Sequence, residues 1–128
     1  MQHAIDPAEA AYCDEHGIRR IEDVDLFDDF EGLAGHLASM DLVIGISTVP
    51  MELAAAVGTP TWLLGFSPEN YLYRTGGGAT PVDQLSRNSR IIAPSWIDFT
   101  APYQECLDLV MGECRARLVR LASASQPS

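Results

Sequence analysis

Apolar and polar positions along this chain fall into short alternating blocks, most with readable start and stop signals. Residues 1–5, MQHAI, are an apolar-tending run that suits a strand. In DPAEAAYCDEHG, Asp6 stands at an N-cap, Pro7 opens the first turn, Glu9 follows the cap by three and Gly17 ends the block, which predicts a helix. Ile18 to Val24 predicts a strand end running into a loop. In LFDDFEGLAGHLASM, Phe30, Leu33, Leu37 and Met40 recur at helical spacing, so the segment predicts an amphipathic helix. Asp41–Ile46 is rich in Val and Ile, apolar on both faces and too short for a helix, as in a central strand of a parallel sheet. A helix over Met51–Val57, closed by Gly58, and a strand over Thr61–Leu64 come next.

The region from Gly65 to Arg90 reads as a long turn-rich loop containing Gly76, Gly77 and Gly78. Ile91–Ala93 gives a last short strand. Leu107, Val110, Met111, Cys114 and Leu118 then fall on one side of a long helix. Strands alternating with helices imply parallel pairing through right-handed crossovers. The expected fold is therefore α/β, a Rossmann-like parallel sheet with helices on both faces, in one domain over residues 1–122 with a flexible tail at 123–128.

The candidate site is the junction inside DLVIGISTVPMELAAAVGTPTWLLG. Ligands of open α/β sheets sit at the carboxyl ends of strands, and Ser47 and Thr48 fall there, directly before a helix. A helix start offers unpaired N–H groups and a partial positive charge, which suit a phosphate. The same chemistry also fits a plain hydroxyl cap with nothing bound. Phe66 and Ser67 follow the next strand end, and Arg74 beyond them could balance phosphate charge. The glycine triplet fits a surface loop, a mobile flap or a phosphate loop.

Charge and composition narrow the classes. Residues 1–41 hold 11 Asp/Glu against 2 Arg, whereas residues 42–128 hold 7 against 6. The chain contains no lysine and no basic stripe, so a nucleic-acid partner is not expected. The acidic half reads as a solvated surface. Cys13, Cys106 and Cys114 form no CxxC pair and read as packing or surface thiols, so neither a disulfide framework nor a metal site is expected. His3, His16 and His36 are scattered. No apolar run approaches the roughly 20 residues that span a bilayer, and residues 1–10 lack an export signal, so the expected location is cytoplasmic. No strand leads into a G-x-G-x-x-G, which disfavours a dinucleotide role.

From Asp41 to Leu64 the chain resembles the nucleotide-sugar-binding motif in the C-terminal half of GT-B glycosyltransferases. The similarity is to heptosyltransferases and to the bacterial tetratricopeptide-linked glycosyltransferases related to them. Asp41–Ile46, Ser47-Thr48, Leu53 to Gly58, Pro60 and Trp62–Leu64 match that pattern in order and spacing. The resemblance implies that Ser47, Thr48 and the amides of Val49 and Met51 hold the diphosphate of an activated sugar, with Phe66 and Ser67 near nucleotide or sugar. Two departures stand out. Pro50 removes one N–H from the first turn. Glu52 replaces the usual His, and its carboxylate suits either the ribose hydroxyls or the helix start.

The implied function is the donor-binding part of a hexosyl- or heptosyltransferase, with a nucleotide-diphosphate sugar as substrate and no metal or other cofactor. Nothing in the sequence corresponds to the acceptor-binding first domain of such an enzyme. The chain thus reads as an incomplete GT-B C-terminal domain, not active alone: a fragment, a truncated reading frame, or a small subunit whose partner supplies the rest. An open sheet edge would also invite a second copy, so a homo-oligomer is a further expectation. The alternative is a non-catalytic nucleotide- or protein-binding module on the same fold.

Overall fold

A computed structural model describes residues 5–65, 68–77, 82–93, 100 and 102–126. Asp6 caps α1 (Pro7–Glu15): its carboxylate accepts from the Ala8 and Glu9 amides at 2.8 Å, and the Glu9 side chain returns to the Asp6 amide at 2.9 Å. Gly17 leaves the helix at φ 63°, a left-handed turn that glycine takes without strain. None of the α1 residues is buried. Ile18–Val24 forms no strand, because Arg19, Arg20, Glu22 and Asp23 break any apolar alternation. In the turn beyond it, the amides of Phe27 and Asp28 donate to Asp25 and hold its carboxyl below the usual carboxylate range. A depressed folded pKa stabilises the fold above the ordinary carboxylate pKa, and that contribution disappears as pH falls through the folded value.

Asp29 caps α2 (Phe30–Ala38) by accepting from the Gly32 amide at 2.8 Å. Leu33 and Leu37 point inward from α2 and pack with Ala54 of α3 (Val49–Ala56), with Val24, Leu26, Val43 and Leu53 around them. The Thr59 hydroxyl donates to the Leu37 carbonyl at 2.8 Å and ties the end of α3 to α2. Gly58, at φ 89°, lets the chain turn out of α3 there.

Beside this helix pair lies a three-stranded parallel sheet in the order β1-β2-β3, with β1 Val43–Gly45, β2 Thr61–Leu64 and β3 Ser89–Ile92. Leu63 and Ile91 are paired in register, and with Met51 and Ala93 they build the core on one face. Consecutive strand residues face opposite ways, and both Ile91 and Ile92 are almost wholly enclosed, so β3 is covered on both faces. The long helix α5 (Tyr103–Ala124) packs against β2 and β3 and buries Cys106, Val110 and Cys114. Parallel strands with helices packed around them make an α/β, Rossmann-like fold, as expected, though a small one. α5 continues through Ala124, past the expected boundary at residue 122. Among the described residues there are three strands, where the apolar blocks suggest five; residues 1–4 of the first block lie outside the described residues.

The largest departure is α4 (Pro68–Thr75), a helix where a loop is expected. Gly76 and Gly77, at φ 62° and 77°, terminate it, and the Gly77 amide donates to Leu72 O at 3.0 Å. These two glycines are helix-stop residues; Gly78 lies outside the described residues.

The thiols in α5 carry a testable consequence. Burial pushes the Cys114 thiol up, with the nearby Arg117 opposing in part, so its reactive thiolate is scarce at neutral pH. Iodoacetamide should label half-buried Cys13 in the native protein and spare Cys106 and Cys114 until denaturant is added. Equal native labelling of all three, read by peptide mass mapping, would mean that α5 is not packed on the sheet.

Candidate functional site

Gly45, the last residue of β1, lies close over Met51: a Cβ there would meet Met51 Sδ at 3.0 Å. Ile46, Ser47 and Thr48 then lead into α3 at the carboxyl end of the sheet. Thr48 is the N-cap, in extended backbone, but its side chain makes no capping bond; its hydroxyl donates back to Ile46 O at 3.2 Å. The Met51 and Glu52 amides both donate to Thr48 O, at 3.0 and 3.2 Å. Pro50 has no N–H. Val49, an exposed residue, therefore carries a first-turn N–H of α3 without an acceptor among the described residues.

Arg74 completes the arrangement. It sits in the last turn of α4, only 5% exposed, and crosses to the start of α3. Its Nη2 donates to Ser47 Oγ at 3.1 Å and also to Glu52 Oε1, while Nη1 donates to Asp83 Oδ2 at 3.3 Å. Asp83 is enclosed and accepts a second bond from the Leu85 amide at 2.9 Å. An isolated antiparallel bridge between Val82 and Arg90 sets Asp83 against β3, and Gln84 binds the end of α4 through both its amide and its side chain. Arg74 Nε is buried with no hydrogen-bond partner among the described residues.

The structure thus gathers Ser47, Glu52 and Arg74, which lie 27 residues apart at the extremes, into one cluster beside Thr48 and Val49. Met51 falls differently: its amide is engaged by Thr48 and its side chain, 5% exposed, belongs to the core. Glu52 does not cap the helix start; its carboxylate is the counterion of Arg74. Phe66 and Ser67 lie outside the described residues. Asp83 escaped the sequence reading, although it is the one acidic residue between Glu69 and Asp98. That isolation in a polar stretch is the signal that could have found it.

Chemically the cluster offers a hydroxyl, an open amide and a guanidinium with two carboxylate partners. Ser47 Oγ accepts from Arg74, which leaves its own O–H to donate outward. Among the described residues no three His, Cys, Asp or Glu side chains converge as metal ligands, and no helix is long and apolar enough to cross a membrane. A separate groove of about 1180 Å³ lies between α1 and the edge of β1, lined by Tyr12, Cys13, Ile21, Leu37, Val43 and Ile44, remote in composition from the Arg74 cluster. No family model, curated protein or solved structure matches the chain significantly.

Proposed function

We propose that the β1–α3 junction and Arg74 form the diphosphate-contacting edge of a nucleotide-diphosphate-sugar site, the donor part of a glycosyltransferase. The observation that carries the reading is a guanidinium buried under the fold and brought to Ser47, beside the uncapped start of α3. Such a group rarely sits inside a protein without a fixed task. Val49 N–H and the Ser47 and Thr48 hydroxyls supply neutral donors, and Arg74 the charge. In a sugar transfer these groups hold the departing diphosphate and stabilise its developing charge. None of them is placed to move a proton, so the catalytic base and the acceptor site come from elsewhere and this chain is inactive alone. A cytoplasmic, bacterial setting accords with this reading and with the Asp41–Leu64 resemblance.

Thermal unfolding with UDP, GDP or ADP, each compared with inorganic phosphate, tests the reading. A nucleotide at about 100 times its Kd should stabilise the protein by roughly 2.7 kcal/mol. Ser47→Ala should weaken the same nucleotide about tenfold, the scale of one hydrogen bond to a charged group. Unchanged melting with every nucleotide would sink the proposal.

A second reading, a protein-binding module, rests on the edge of β1, which is unpaired among the described residues. The Val43 amide bonds Pro60 O on the β2 side, so in a parallel ladder the N–H and C=O of Ile44 point away from β2. Ile44 also borders the apolar groove. Strand pairing there by a partner or a second copy is what remains if no nucleotide binds.

A further inference from the structure

The two carboxylates on Arg74 are not equivalent. Asp83 has a side-chain exposure of 0% and a second bond from Leu85, so it cannot leave without unfolding its surroundings. Glu52 has a side-chain exposure of 50%, and its carboxylate contacts Arg74 alone among the described residues. A half-exposed carboxylate can swing into water at little cost, because solvent already screens much of its attraction to Arg74.

The guanidinium edge it touches is only partly used. Nε and Nη2 present parallel N–H bonds matched to two oxygens of one carboxylate or phosphate. Here Nη2 is shared by Ser47 and Glu52, while Nε has no partner among the described residues. With Glu52 in place the charges of Arg74, Glu52 and Asp83 sum to one negative, an unfavourable surface for an anion. With Glu52 swung out the remaining pair, Arg74 and Asp83, is neutral, beside the partial positive charge at the start of α3.

We propose that Glu52 is an internal competitor for the diphosphate: it occupies on Arg74 Nη2 the place of a phosphate oxygen, and ligand binding displaces it. This rests on the diphosphate reading above. The device sets a threshold that lowers every anion's affinity alike and leaves their ratios unchanged. Every anion must displace the same carboxylate, so inorganic phosphate gains little, whereas a nucleotide diphosphate adds contacts that offset the displacement.

Calorimetric titration with inorganic pyrophosphate and with UDP distinguishes the outcomes. Glu52→Gln and Glu52→Ala should each bind pyrophosphate on the order of tenfold more tightly than the native protein, with UDP affinity raised in parallel. Asp41→Asn removes the same charge ahead of β1, away from Arg74, and should leave both affinities within about twofold. If the Glu52 variants lose UDP affinity but keep that for pyrophosphate, Glu52 holds the ribose and the competitor role is wrong. An equal gain in Asp41→Asn would reduce the effect to net charge and overturn it too. Native protein that binds UDP, with variants unchanged, defeats this inference alone; no binding by any form defeats the diphosphate reading itself. Circular dichroism of each variant confirms folding, which exposed Glu52 should not control.

Discussion

Arg74→Met is expected to lower the unfolding free energy by roughly 3–5 kcal/mol, the range for breaking a buried ion pair from one side. The substitution strands the enclosed Asp83 carboxylate with a single backbone donor, the Leu85 amide. Glu52, half exposed, loses little by comparison. The cost is large against the 5–15 kcal/mol that holds a typical domain together. Asp83→Leu alone should also destabilise, since it leaves the guanidinium facing only Glu52 and Ser47 inside the fold. Combining Arg74→Met with Asp83→Leu should recover most of the loss, because apolar groups of similar volume replace a desolvated pair. Urea unfolding of the four proteins in a double-mutant cycle gives the coupling directly. Singles within about 0.5 kcal/mol of the native protein would mean that water reaches the pair.

Leu37→Ala should cost about 3 kcal/mol, within the range for deleting a buried leucine. Leu37 is 0% exposed and packs against Leu33 and Ala54, where α2 meets α3. α3 carries the site at its other end, and the Thr59 hydroxyl links to the carbonyl of Leu37 itself. Loosening this contact should therefore also weaken nucleotide binding, though no side chain of the site is touched. Leu72→Ala, at a position 57% exposed, is the matching control and should change stability by less than about 1 kcal/mol. Equal effects at the two positions would contradict the packing of α2 on α3.

Much of this arrangement is legible in the residues. The capping box at Asp6 and Glu9 and the apolar strand Val43–Gly45 follow from local chemistry, which is why sequence and structure agree there. So does the small-residue helix from Val49 to Ala56 closed by Gly58. Ser47 is a candidate by its place at a strand end, Arg74 by its charge and Glu52 through the resemblance, and the structure joins them. α4 was missed although its signals were present: Pro68 in the first turn, Glu69 beside it and Gly76 as terminator. Tyr, Asn and Thr are indifferent helix formers, and the glycines invited a loop. The isolation of Asp83 in a polar stretch marks it as a candidate, but its pairing with Arg74 is not legible, since Val82 docking on β3 sets it, a tertiary contact with no periodic trace. Ile18–Val24 erred the other way, two isoleucines and a valine suggesting a strand that charged neighbours prevent.

The central claim is that the Val49 amide and the Arg74 guanidinium together contact a diphosphate. A proton–nitrogen correlation titration with UDP observes both groups at once. The predicted result is a saturable shift of the Val49 amide and Arg74 Nε resonances with one shared dissociation constant, while exposed Val119 on α5 stays still. Folded protein in which neither resonance moves at millimolar UDP would contradict the account.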